Sequence, residues 1–106
     1  MNKLTGKIIK DVEYMEKTHV NDPKKMVLFD EIEGLLFKNS ETTITVLKEL
    51  DLLSIEWISS TFEKVSYELQ SKDFINCLEE LLEKFSPDIN GFKNEVQEAR
   101  EAYYGN

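Results

Sequence analysis

Between Ser54 and Phe85 the apolar residues recur at gaps of three and four: Ile55, Ile58, Phe62, Val65 and Leu69, then Phe74, Ile75, Leu78, Leu81, Leu82 and Phe85. A period near 3.6 residues places each set on one stripe of a helix, and such a stripe has to be buried. The spacing predicts two helices that follow each other almost without a linker, with Ser54 and Ser71 at the capping positions. It leaves Glu56, Glu63, Glu68, Glu79, Glu80 and Glu83 largely to water.

The remainder of the chain reads in the same way. Ile8, Ile9, Val12 and Met15 predict a helix from about Leu4 to Thr18, weakened at its start by Gly6. Asp22 as a cap and Pro23 at the first helical position predict a second, from about Pro23 to Phe37. Its apolar residues, Met26, Val27, Leu28 and Phe29 followed by Ile32, Leu35, Leu36 and Phe37, cover more than one stripe, as expected of a helix sandwiched between neighbours. Asn39 or Ser40 caps the next. The run Thr42–Val46 is rich in β-branched residues and would suit a short strand as well as a helix, but a lone strand would lack a partner, so helix is expected. Pro87 ends a helix, Asp88 or Asn90 starts another, and Phe92, Val96, Ala99, Ala102 and Tyr103 give the final segment, from about Ile89 to Tyr103, one narrow stripe. The expectation is an all-α, single-domain fold over residues 1–106, with about six antiparallel helices joined by short turns. The matching starts at Ser54 and Ser71 would arise equally in a compact bundle and in HEAT-like helix pairs.

The net charge is −8, and it is unevenly placed: residues 1–28 hold six Lys against four Asp/Glu, whereas residues 29–106 hold seven Lys/Arg against seventeen Asp/Glu. A field of that sign repels nucleic-acid phosphates and anionic lipid and attracts basic surfaces, although it also serves plain solubility. No run approaches the roughly 20 apolar residues of a membrane span, and charge interrupts the N-terminal residues before a signal-peptide core could form. The single cysteine, Cys77, permits no intramolecular disulfide. A cytoplasmic address fits.

Motifs that would carry chemistry are incomplete. Glu16 and His19 have the i,i+3 spacing of di-metal bundle ligands, but His19 is the only histidine and a site needs more ligands. The run from Asp88 through Asn90 and Gly91 resembles a calcium loop, yet Gln97 stands where a bidentate Glu belongs and Lys93 where an apolar residue does, so a turn and cap is expected. Cys77 lies within an apolar stripe, where burial makes a thiol inert rather than nucleophilic. Acid pairs such as Asp30 with Glu33, or Glu79 with Glu83, punctuate helix surfaces. No glycine-rich phosphate loop is present. No catalytic residue, metal ligand or cofactor is therefore expected.

Trp57 falls on the flank of its helix and Tyr67 nearly opposite the stripe. Aromatic side chains set among Glu56, Glu63 and Glu68 would suit a docking surface for a basic partner, while a covering helix would bury them instead. The run SIEWISSTFEKVSYELQSKDFINCLEELLEKF, with its W-I-S-S-x-F and L-Q-S-x-x-F-I-x-C-L stretches, resembles segments of small all-helical bacterial immunity proteins, the neutralising partners in polymorphic toxin systems. It covers about a third of the chain. The resemblance implies a cytoplasmic, non-catalytic protein that binds a toxin domain and blocks its active site or folding. It identifies no contact residues, since these vary within such families. Charge adds a mechanism, because many toxic nucleases are basic and an acidic helical face can mimic their phosphate ligand. Expected partner contacts are Trp57, Glu56, Glu63, Tyr67, Glu68, Glu79, Glu80 and Glu83. The alternative is a helical adaptor or regulatory subunit that holds a peptide or protein in a groove between helices, with Phe29, Phe37 or Trp57 in its wall.

Overall fold

In a computed structural model, the described residues are 2–18 and 21–105, and their regular structure is entirely helical. The helices are α1 (Lys3–Lys17), α2 (Pro23–Leu36), α3 (Ser40–Glu49), α4 (Leu52–Ile58), α5 (Phe62–Leu69), α6 (Lys72–Phe85) and α7 (Lys93–Tyr104). Because α4 and α5 are two parts of one stretch divided by a 3₁₀ turn at Ser59–Thr61, the molecule consists of six helical rods. The all-α bundle expected from the apolar spacing is the fold observed.

Several starts follow the capping chemistry. Asn2 accepts from the Leu4 amide, Asp22 from Lys24, Asn39 from Thr42 and Ser71 from Phe74, each satisfying an amide that the first helical turn leaves without an intrahelical partner. The Thr42–Val46 run is helical, and the Thr43 hydroxyl, buried, donates to the Leu36 carbonyl at 2.8 Å. That bond ties the end of α2 to the start of α3.

Four expectations are corrected. Ser54 is not a cap: α4 begins at Leu52, and Ser54 is buried within it. The stretch from Ser54 to Leu69 is not one helix, because Ser59 and Thr61 turn their hydroxyls back to the carbonyls of Glu56 and Ile58, at 2.8 and 2.7 Å, where the helix tightens. The last helix starts at Lys93, not Ile89, and neither Asp88 nor Asn90 caps it; residues 89–92 form a turn in which the Ile89 carbonyl accepts from Phe92 and Lys93. Finally, α2 is not sandwiched. Only Leu28, Ile32 and Leu36 are buried on it, while Met26 and Val27 are 71% and 60% exposed. Its apolar excess faces outward.

The core joins the stripes of all seven helices. Phe62, Phe74 and Phe92 are its largest buried side chains, Phe62 meeting Phe74 edge to face at 6.4 Å and Phe85 meeting Phe92 in the same manner. Burying each contributes on the order of 1.5–3 kcal/mol. The most extensive pairing is between α5 and α7, followed by α3 with α6, so the main contacts skip over sequence neighbours. Ser66 and Ala99 make the first possible: both are small and buried, and the Ser66 hydroxyl donates to the Ala99 carbonyl at 2.7 Å. Between α5 and α6 the chain reverses through Gln70, which holds a left-handed conformation at φ 46°.

A side chain in that region costs roughly 1 kcal/mol relative to glycine, so Gln70→Gly should raise the stability to urea by about that amount. A decrease would mean that the bond from Gln70 Nε2 to the Tyr67 carbonyl, 2.8 Å long, outweighs the backbone relief.

Candidate functional site

The structure divides the eight expected contact residues among four regions. Glu63, Tyr67 and Glu68 project from α5, where Tyr67 is 66% exposed and its ring has no aromatic or cationic neighbour among the described residues. Glu79 and Glu83, one turn apart on α6, border a groove of about 460 Å³ between α6 and α7. Leu82 and Val96 give the groove apolar lining, and Lys93 and Arg100 bring the opposite sign of charge. Glu80 lies beside a smaller hollow with Lys48, Cys77 and Lys84. Glu56 and Trp57 are on α4.

Trp57 is not a free anchor. Its ring stacks on Phe29 of α2 at 6.0 Å, Lys25 Nζ lies 5.6 Å from its centroid, and its Nε1–H donates to the Glu16 carboxylate of α1 at 2.7 Å. It joins three helices while keeping one side accessible. Glu16, which the sequence offers only as a metal ligand with His19, thus holds an indole instead, and His19 lies outside the described residues. Among the described residues no three His, Cys, Asp or Glu side chains come together in a way that could hold a metal ion, and no helix is long and apolar enough to cross a membrane.

Glu56 is half-buried, and its carboxylate occupies the place where a Cβ on residue 91 would stand. The absence of a side chain at Gly91 therefore lets α4 and the loop before α7 meet. Spacing could not reveal this, because Glu56 and Gly91 are remote in sequence and belong to different predicted elements.

The acids differ sharply in how they are used. In the first half of the chain, Glu49 accepts from the Thr5 hydroxyl at 2.6 Å and the Asn2 amide at 3.0 Å. Asp22 accepts from the Tyr14 hydroxyl at 2.9 Å as well as capping α2, and Asp11, Glu31 and Glu33 pair with Lys7 or Lys64. From Asp51 onward, by contrast, no described acid makes an ion pair or a side-chain hydrogen bond within the chain. The polar groups that do bond there are hydroxyls, an amide and lysines, as in Ser66 with Ala99, Gln70 with Tyr67 and Lys84 with Lys48. The acids of the second half thus form a field that no internal bond holds, although Lys93 and Arg100 lie across the groove from Glu79 and Glu83.

No protein-family model matches the chain, and neither a curated protein nor a solved structure matches it.

Two measurements follow from the titrating groups. The hydroxyl of Thr5 and the Asn2 amide hold the Glu49 carboxyl below its ordinary value, and the Lys24 amide and Tyr14 hydroxyl do the same for Asp22. Both groups are more acidic folded than unfolded, so their stabilisation is complete above the ordinary carboxylate range and disappears as pH falls through the lowered values. Melting temperature should fall on acidification below about pH 4, and Thr5→Val and Tyr14→Phe should each make that fall shallower. Parallel curves for the variants would exclude these two carboxylates as its source. Burial pushes the Cys77 thiol up to about 11. At pH 8 its thiolate should be about 100-fold scarcer than in the unfolded chain, and labelling by a thiol reagent slower accordingly; prompt labelling of the folded protein would contradict this burial.

Proposed function

We propose that this chain is a protein-binding module whose partner is basic, and that an immunity protein neutralising a cognate bacterial toxin is its specific role. The observation that carries the reading is the acid array from Asp51 onward that no internal bond holds. Acids used to hold a fold together would be paired or hydrogen-bonded, as Glu49 and Asp22 are in the first half. An array without such bonds stabilises nothing locally, but it raises the rate at which a basic domain arrives and rejects acidic competitors. The resemblance of residues 54–85 to immunity proteins supplies the toxin as the kind of partner, and Tyr67 is the more exposed of the two exposed aromatics, with Tyr104, in the second half.

A second reading, the helical adaptor, draws on the groove between α6 and α7, whose apolar lining and charges of both signs suit an amphipathic segment. Phe29 contributes to neither surface directly, since it is engaged with Trp57.

Capture with the tagged protein from native lysate at low salt, followed by a salt step, tests the first reading. It should release one basic toxin domain, and association of that domain should slow by about tenfold when Glu63, Glu68, Glu79 and Glu83 are all changed to Gln. An unchanged rate and unchanged salt dependence would remove the electrostatic mechanism. Capture of a housekeeping complex insensitive to salt would favour the adaptor.

A further inference from the structure

Leu53, at the start of α4, is 44% exposed and is shared by two adjoining hollows. One, of about 240 Å³, is bordered by Leu53, Glu56 and Trp57. The other, of about 260 Å³, runs between α1 and α4, with Ile9, Val12 and Leu53 as apolar wall and Glu13, Glu16 and Asp51 as its acids. Lys17 is the only cation in either lining among the described residues, and Lys25 is engaged over the Trp57 ring. Four carboxylates therefore surround one apolar ridge and outnumber the two ammonium groups beside it, and none of the four makes an ion pair among the described residues. Glu16 uses one oxygen to hold Trp57 and retains the other.

The groove between α6 and α7 shows no such preference, because its acids face Lys93 and Arg100. Its lining would not choose between a basic and an acidic ligand. The hollows at Leu53 do choose. An apolar wall beside carboxylates complements an arginine or lysine, whose methylene stem gains from apolar cover while its head needs an anion. Lys25, 5.6 Å from the Trp57 centroid, shows within the molecule that the indole accommodates a cation.

We propose that the paired hollows around Leu53 receive a basic segment of the partner protein, with an apolar side chain seated against Leu53 and arginine or lysine heads on Glu56 and Glu16. The inference rests on the reading of a basic protein partner and locates where that partner is gripped, as distinct from where it is attracted. The acids of α5 and α6 govern approach. The hollows govern retention.

Trp57 is the only tryptophan, so its emission reports this site. The full chain is titrated with acetyl-(Leu-Arg-Arg)4-amide and, separately, with acetyl-(Ser-Arg-Arg)4-amide, which has the same charge without the apolar side chains. The leucine peptide should shift Trp57 emission saturably and bind about tenfold more tightly than the serine peptide, an advantage that Leu53→Ser abolishes. Glu56→Gln, which leaves the apolar ridge intact, should weaken both peptides while preserving the difference between them. Neutralising Glu63, Glu68 and Glu83 should also leave that difference unchanged. Equal binding of the two peptides, or a leucine advantage that survives Leu53→Ser, would overturn the site while leaving a basic partner in place; failure of both peptides to bind would remove both readings.

Discussion

The approach of α5 to α7 is the constraint on which the rest of the packing depends. It requires small residues at the contact, and Ser66 and Ala99 provide them, with the hydroxyl of one satisfied by the carbonyl of the other. A larger side chain at either position would separate the two helices, and overpacking of this kind costs roughly 1–3 kcal/mol. Their contact closes one side of the core in which Phe62, Phe74 and Phe92 are buried. The 3₁₀ turn before α5 belongs to the same arrangement: it also contacts α7, so the interruption lies at the junction and not in a solvated linker.

With the apolar stripes consumed in this way, the polar sides of α5 and α6 reach their neighbours only through cations, Lys64 to Glu33 and Lys84 to the Lys48 carbonyl, while the acids of α5, α6 and α7 make no internal bonds among the described residues. The first three helices are different. Their polar groups join one another through Lys7 with Glu31, Tyr14 with Asp22, and Thr5 with Glu49. The molecule thus has a part in which charge is used for cohesion and a part in which charge is presented outward. Trp57 lies where the two meet, attached to α1 and α2 but carried by α4.

Helix number and class were legible in the sequence because a period near 3.6 and the side-chain caps Asp22, Asn39 and Ser71 are local signals. The failures were also local signals, overridden by contacts between distant residues. Ser54 has the composition of a cap, yet it lies in the core and Asp51 precedes the helix without a side-chain bond. Met26 and Val27 have the composition of a core, yet they remain exposed, since α2 has too few neighbours to cover them. Among the expected contact residues, the angle of Tyr67 on its helix fits either solvent or a covering helix, and its exposure is decided by which neighbours approach α5. The bond of Trp57 to Glu16 and the fit of Glu56 against Gly91 depend on tertiary approach, which spacing does not encode. Nothing in the spacing marks Leu53 as exposed at the junction of two hollows.

The thin attachment of α2 has a consequence for motion. Three buried residues, ion pairs to α1 and α5, the Tyr14–Asp22 and Thr43–Leu36 bonds and the Phe29–Trp57 stack hold a fourteen-residue helix, mostly at its edges. Local opening free energies follow buried contact, so α2 departs at lower energy than the closely packed α5 and α7 pair. Its departure would uncover one face of the indole that borders Leu53. The breathing of one surface helix would thereby set how much aromatic area the neighbouring hollow offers at any moment.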